Sequence, residues 1–153
     1  MASGYARMVV VLGVTATVAA VACGSGTVAV VDDPNLETAF ENVLVQGETR
    51  TLGEIAEEAG IDGSSWDRMY YFSVPLLMSE VNRMLGTAGV VWEGLPGVGA
   101  EGLMVFTSDG EIVHAVTDYE PPLALNGFAT ADSVVSPGDL VGIPRVSVEA
   151  KGR

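Results

Sequence analysis

The stretch LMVFTSDGEIVHAVT, residues 103–117, contains two runs of apolar and β-branched residues that flank Asp109-Gly110. An Asp-Gly pair tolerates the positive φ angles that a two-residue hairpin turn requires. The stretch therefore predicts a β-hairpin with Asp109 and Gly110 as the structural residues of its turn. Because side chains alternate along a strand, we expect His114 on the same face as Ile112 and Val116.

The segment before this hairpin predicts a strand, a helix and a second strand. WDRMYYF, residues 66–72, is rich in aromatic residues and predicts a core strand. Residues 73–86 predict a helix that has Pro75 near its first turn, ends at Gly86 and has one apolar face, formed by Leu77, Val81, Met84 and Leu85. Trp66 is expected to begin the core strand and to pack beneath this helix, as a structural residue. A short strand is expected over residues 90–92.

Two further helices are predicted nearer the N-terminus. Asp33-Pro34 provides an N-cap and a first-turn proline, and Leu36, Phe40, Val43 and Leu44 follow at helical spacing, although residues 42–48 could equally form a strand. Thr51 and Glu54 have the spacing of a capping box, which predicts a helix to about Ala59 with Gly60 as its stop.

The C-terminal part of the chain has weaker patterns. Ser136-Pro137-Gly138 predicts a turn, and residues 146–148 predict a last short strand. Together the elements predict a single small α+β domain with a mainly antiparallel sheet and two or three helices. We place its boundaries at residues 32–149, with a tether over 23–31 and a disordered tail over 150–153.

The stretch TLGEIAEEAGI, residues 51–61, is similar to the first helix and turn of many bacterial repressors. A recognition helix that presents basic or amide side chains to base edges should then follow. The chain continues instead with a turn and the strand-like MYYF, and only Arg68 is basic in this segment. A capped amphipathic helix explains the pattern without nucleic acid.

Other possible motifs lack the context that their chemistry needs. Residues 97–102 match G-x-G-x-x-G, but they follow a proline and precede a strand, so we expect a loop and no dinucleotide. His114 is the only histidine and has no H-x-x-H or C-x-x-C companion, so it is predicted to be a packed or edge residue.

The acidic and serine residues also lack the spacing of known sites. The acids at positions 32–33, 57–58, 109 and 111 do not have the spacing of a calcium loop, and they are predicted to be caps, turns and solvated faces. Ser64 and Ser65 lack the glycine-framed elbow of a serine hydrolase. We therefore predict no catalytic residue, no cofactor and no metal.

The N-terminus has the pattern of an export signal. Arg7 is followed by 15 uncharged residues, Met8 to Ala22, which is shorter than the ~20 that a spanning helix needs. Small residues then precede the only cysteine, Cys23. Residues 1–22 resemble a bacterial lipoprotein signal, in which that cysteine is lipidated and becomes the first residue of the mature protein. Leucine is more usual in such signals where this chain has Ala20.

The charge of the chain restricts its partners. Removal of residues 1–22 takes away Arg7 and no acid, which leaves six basic residues against 20 acidic ones and a net charge of −14. The electrostatic field of this negative charge repels phosphate backbones and anionic lipid surfaces. Nucleic acid is therefore excluded as a partner, whereas cationic partners are allowed. The acidity is also explained without any partner, because charge alone keeps an exported domain soluble.

The segment from Trp66 to Val116 resembles a set of small, poorly characterised bacterial envelope lipoproteins. These proteins have a Trp-Asp-Arg/Lys-hydrophobic-Tyr strand, a helix, and an apolar strand paired through an Asp-Gly or Asn-Gly turn. The resemblance implies an α+β domain and a surface location, and it implies no activity.

Two classes of function remain open. The first is a non-catalytic binding or structural module of the cell envelope, held on the outer face of the membrane by lipid on Cys23 and contacting an envelope protein, a wall polymer or a small ligand. The second is an extracytoplasmic enzyme of unrecognised type that uses a carboxylate near His114. A cleft that holds a carboxyl of shifted pKa beside His114 would favour the enzyme.

Overall fold

The computed structural model describes residues 26–153 and confirms a single α+β domain. Within that range the chain forms three helices and eleven strands. The elements are β1 Thr27–Ala29, β2 Val31–Asp32, α1 Pro34–Gln46, β3 Arg50–Thr51, α2 Leu52–Glu58, β4 Arg68–Ser73, α3 Met78–Leu85, β5 Val91–Glu93, β6 Gly102–Ser108, β7 Glu111–Asp118, β8 Leu123–Ala124, β9 Phe128–Ala129, β10 Val134–Leu140 and β11 Ile143–Val148.

The predicted hairpin lies inside a five-stranded sheet with the order β2-β7-β6-β4-β9. Strand β2 is parallel to β7, and the other neighbours are antiparallel. Strand β6 is buried from Gly102 to Thr107 because both faces of the sheet are covered. The turn prediction is confirmed: Asp109 and Gly110 have φ angles of 52° and 82°.

A β-bulge in this hairpin changes the predicted face of one residue. Phe106 pairs with His114, but Thr107 pairs with Ile112, so Val113 is the extra residue on β7. The bulge places Ile112 on the face opposite His114 and Val116. The expectation that Ile112 shares a face with His114 is therefore wrong.

The two faces of the five-stranded sheet support two separate cores. Met104 and Phe106 of β6 point to one face, which packs against α1, α2 and the second sheet. Leu103 and Val105 point to the other face, which packs against α3 and the small β1-β5 sheet. The alternation of side chains along β6 thus serves both cores.

Helices α1 and α2 begin as the sequence predicts. The Asp33 carboxylate accepts hydrogen bonds from the backbone N–H groups of Asn35 and Leu36. In α2, the Thr51 hydroxyl accepts from the Glu54 N–H, and the Glu54 carboxylate accepts from the Thr51 N–H. These hydrogen bonds satisfy backbone N–H groups that have no partner within the helix at its N-terminus.

The third helix differs from its prediction. It begins at Met78, after an irregular segment that contains Pro75, and it ends at Gly86 as expected. Val81 is buried, whereas Leu77 and Met84 are exposed. The predicted apolar face is therefore wrong for these two residues, because only one stripe of this short helix reaches the sheet.

Trp66 is buried as expected but packs in the other core. Its ring meets Phe106 edge to face, with 5.1 Å between the ring centroids, on the side of α1 and α2. Val81 belongs to the opposite core. Trp66 precedes β4 by two residues and does not lie beneath α3, so that packing prediction is wrong.

The second sheet has the order β3-β10-β11-β8 and corrects the prediction for residues 136–138. Pro137 and Gly138 lie inside β10, paired with Val146 and Arg145 of β11. The hairpin turn lies instead at Val141-Gly142, where both φ angles are positive. Proline is tolerated here because β3 pairs only with Val134 and Val135, so β10 is an edge strand beyond them.

Backbone pairing is present in the described parts of the segments assigned to the tether and to the disordered tail. In the predicted tether, β1 pairs with β5 and Val31 of β2 pairs with β7. In the predicted tail, the Lys151 N–H donates to the Phe128 carbonyl and Gly152 bridges to Phe128. The predicted signal over 1–22 and the lipidation site Cys23 lie outside the described residues.

Candidate functional site

A groove of about 800 Å³ lies between α1, residues 99–101, residues 119–122 and the start of β11. It is about three times as large as the cavity beside His114, which measures about 270 Å³. Its size is in the range that holds small ligands or peptide side chains. We call it the acidic groove.

Four glutamates line the acidic groove: Glu37, Glu41, Glu101 and Glu120. None of its described lining residues is basic. Burial is the main cause that raises the pKa of Glu37, and the charges of Asp32, Asp33 and Glu120 raise it further. The groove is thus a concave surface of concentrated negative potential, which attracts cations.

Apolar side chains form much of the remaining wall. Four prolines, at positions 34, 121, 122 and 144, line the groove together with Tyr119 and Ile143. The Tyr119 N–H donates to Glu37 at 3.1 Å, which ties the 119–122 segment to α1. An apolar wall beside carboxylates suits a ligand that combines a positive charge with an apolar body.

A buried acid lies at the end of β7, next to Tyr119. Asp118 is 2% exposed, and its Oδ2 accepts a hydrogen bond of 2.7 Å from the Tyr71 hydroxyl. Burial raises the pKa of Asp118 to about 7, and the charges of Glu37 and Glu101 also raise it. Burial also raises the pKa of Tyr71, so Tyr71 remains the donor.

Gly102 makes room for this pair. A Cβ atom at position 102 would lie 2.5 Å from Cζ of Tyr71 and 2.7 Å from the Phe72 carbonyl oxygen. Both distances are much shorter than a van der Waals contact. The first residue of β6 is therefore glycine because the Tyr71 ring occupies the space that a side chain would fill.

His114 lies away from the acidic groove and contacts a different acid. Its Nε2 is 3.5 Å from Oδ2 of Asp33, whose Oδ1 caps α1. A cavity runs past His114, Trp66 and Phe106, but Nε2 of His114 and Nε1 of Trp66 are covered from solvent. The cavity therefore offers neither of these two ring nitrogens to a ligand. The acid of strongly raised pKa, Asp118, bonds to Tyr71 instead of His114.

The Trp66-Asp67-Arg68 segment supports the hairpin turn. Asp67 accepts from the Asp109 N–H at 3.0 Å and from the Thr107 hydroxyl at 3.4 Å. The Arg68 guanidinium carbon lies 4.4 Å from the centroid of the Phe128 ring. The segment thus links the start of β4 to the Asp109-Gly110 turn and to the edge strand β9, which is a structural role.

Residues 26–153 lack two features that would indicate a function. They contain no group of three or more His, Cys, Asp or Glu side chains that could hold a metal ion. No helix among them is long and apolar enough to cross a membrane.

The sequence did not point to the acidic groove or to the buried pair. Glu37 and Glu41 are four residues apart, so they share a helix face. In the sequence this spacing looks the same as that of an ordinary solvent-exposed face. Asp118 ends β7, after Val116 and Thr117, and an acid at the end of such a strand was the available signal. The other residues of the groove, and the tyrosine that pairs with Asp118, come from distant parts of the chain.

Comparison of the chain with known proteins adds no relative. No protein-family model, curated protein or solved structure matches it. The resemblance to envelope lipoproteins therefore rests on the pattern of residues 66–116 alone.

Proposed function

We propose that the chain is a lipid-anchored, non-catalytic binding module on the extracytoplasmic face of the cell membrane, and that the acidic groove is its binding site. The observation that carries this proposal is the combination of four glutamates with proline and aromatic walls. This arrangement offers charge and apolar contact, which together suit a cationic ligand that has an apolar body.

The N-terminal sequence supports the location. Arg7, the uncharged run to Ala22 and the small residues before Cys23 form a lipoprotein-type signal. Two or three acyl chains hold a protein stably on a bilayer, whereas one holds it marginally. The proposed anchor is lipid on Cys23, and the proposed partner is an envelope protein or a wall polymer that carries positive charge.

The enzyme alternative receives less support from the geometry. The carboxylate beside His114 is Asp33, and its other oxygen already accepts two backbone hydrogen bonds at the start of α1. The groove itself contains neither His114 nor a cysteine or serine among its described lining residues. We therefore favour binding over catalysis, with no cofactor, no metal and no nucleic acid.

A peptide titration tests the groove. Fluorescence anisotropy of a labelled, lysine-rich peptide is measured against the full chain in non-ionic detergent. The Glu37→Gln/Glu41→Gln variant should bind more weakly than wild type, because two charges facing the ligand are removed. Glutamine keeps an oxygen that accepts from the Tyr119 N–H.

A matched variant separates a site from a general charge effect. Glu93→Gln/Glu111→Gln removes the same charge from exposed residues outside the groove. Its affinity should stay near that of wild type at physiological salt, where the Debye length is about 8 Å. Equal weakening by both double variants would contradict the proposal.

A further inference from the structure

The β10-β11 hairpin turn contains a residue that is poorly suited to its backbone. Val141 and Gly142 have φ angles of 53° and 82°, nearly the same as those of Asp109 and Gly110 in the other hairpin. Turns with two positive φ angles strongly favour Asn-Gly or Asp-Gly. A β-branched residue in this region is a genuine outlier, because its Cβ substituents crowd the backbone.

No packing within the described chain compensates for this conformation. Val141 is 92% exposed, and the two residues that flank the turn, Leu140 and Ile143, are 52% and 62% exposed. We call Leu140, Val141 and Ile143 the apolar tip. Three neighbouring apolar side chains thus stand in solvent on a turn that asparagine would form more readily. Backbone strain of this kind clusters at functional sites.

The apolar tip is continuous with the acidic groove. Ile143 and Pro144 line the groove together with Glu37, Glu41 and Glu120. The combined surface therefore has an exposed apolar end and an acidic interior. Protein interfaces combine apolar anchors, which supply much of the affinity, with charged residues that select the partner.

We propose that the apolar tip is the anchor of a protein-docking surface, and that its partner is a protein segment with apolar side chains next to lysine or arginine. This inference rests on the proposed function and specifies the partner of the same groove. Charge complementarity decides the occupant: the net charge of −14 on the proposed mature chain opposes insertion of the tip into an anionic bilayer. A basic segment is attracted by the same field.

The test uses two labelled peptides of equal positive charge, one built from lysine and leucine and the other from lysine and serine. Each is titrated by anisotropy into the full chain in non-ionic detergent. The lysine-serine peptide reports on the charge of the groove. The part of the lysine-leucine peptide's additional affinity that Val141→Asn removes reports on the tip, because the groove also has apolar walls. Wild type should bind the lysine-leucine peptide about tenfold more tightly or better, since burying one valine-sized side chain has at least this effect.

Val141→Asn is the decisive variant. Asparagine suits the left-handed conformation, so the domain should fold and its melting temperature should rise. The additional affinity for the lysine-leucine peptide should be largely lost, and binding of the lysine-serine peptide should not change. Unchanged affinity of Val141→Asn for the lysine-leucine peptide would overturn the proposal.

Leu77→Asn is the matched control. Leu77 is 66% exposed, lies outside the groove at the N-cap of α3, and makes no side-chain capping bond there. Asparagine at this position removes an exposed apolar side chain and supplies a cap, so it too should stabilise the fold. Both peptides should bind this variant as they bind wild type. A loss equal to that of Val141→Asn would overturn the assignment to the tip.

The remaining outcomes separate the two proposals. If both peptides bind equally well, the groove binds cations and the inference about the tip is wrong. If neither binds, the proposed function fails and the inference fails with it. A lipid occupant is tested with a polarity-sensitive dye on Leu140→Cys of the lipidated chain, in which Cys23 has no free thiol. In vesicles of phosphatidylcholine and phosphatidylglycerol an unchanged emission spectrum is expected, and a blue shift without peptide would overturn the protein partner.

Discussion

The Tyr71 hydroxyl donates a 2.7 Å hydrogen bond to Asp118, and both side chains are buried. This contact joins β4 to β7 across β6, at positions 47 residues apart in the sequence. An acid in such a site is costly to ionise, because burial removes the water that would solvate its charge. The pair therefore couples the stability of the central sheet to pH.

We predict that Asp118 makes the domain less stable as pH rises from about 4 to about 7. The folded pKa is raised to about 7, whereas the unfolded chain titrates near its ordinary value of 3.8. Between these values the folded state holds a proton that the unfolded state has lost, so the free energy of unfolding falls with rising pH. The change is on the order of 4 kcal/mol. Urea unfolding of wild type at a series of pH values measures it.

Asp118→Asn is the reference for this measurement. Asparagine can still accept from Tyr71 and does not titrate, so subtraction of its curve isolates Asp118 from the exposed acids. The difference in stability should change between pH 4 and 7 and be constant above about pH 8. Tyr71→Phe should move the midpoint to higher pH, because the Tyr71 hydrogen bond favours the ionised carboxylate. A difference that is flat throughout would contradict the role of Asp118.

We predict that Thr51→Ala lowers stability by about 1 kcal/mol. The substitution removes the hydroxyl that accepts from the Glu54 N–H and donates to the Glu54 carboxylate, whereas the bond from the Thr51 N–H to that carboxylate remains. Chemical denaturation measures the loss. Thr51→Ser retains the hydroxyl and should stay close to wild type. Equal stability of the alanine and serine variants would show that the cap contributes nothing.

We predict that Trp66→Ala lowers stability by about 3–5 kcal/mol. Trp66 is 4% exposed and packs against Phe106 in the core beneath α1 and α2. A loss of this size is a large part of the ~5–15 kcal/mol that stabilises a domain. A thermal melt checks it, with Trp66→Phe as a milder change at the same site. Superimposable melts of wild type and Trp66→Ala would exclude Trp66 from the core.

We predict that Cys23 carries lipid in the mature protein. Cells that express wild type should incorporate labelled palmitate into the chain and retain it in the membrane fraction. Cys23→Ala should show neither property, because the thiol that would accept the acyl group is absent. Equal labelling of the two proteins would refute the lipoprotein interpretation.

Local patterns predicted the elements whose causes are local. The Asp109-Gly110 turn, the Asp33 cap and the Thr51-Glu54 box each involve residues within four positions of one another, and all three are confirmed. Their hydrogen bonds depend on backbone geometry that neighbours determine. The α+β class followed from the order of these elements.

Features that depend on distant contacts, or that break local preferences, could not be predicted in this way. The bulge at Val113 reverses the face of Ile112, and no residue type in the segment marks it. The turn at Val141-Gly142 has no conventional signal, because valine is unfavourable there. The acidic groove is lined by side chains from four separate parts of the chain, so its composition can be recognised only in the folded structure.

Strand β1 begins at Thr27, only four residues after the proposed lipid site. Four residues span at most about 14 Å when fully extended, which is about the radius of gyration of a compact domain of this size. With so short a tether, the side of an anchored domain that carries β1 would stay close to the membrane. Its partners would have to bind the sides that face away from the membrane, so attachment at Cys23 would select by direction as well as by chemistry.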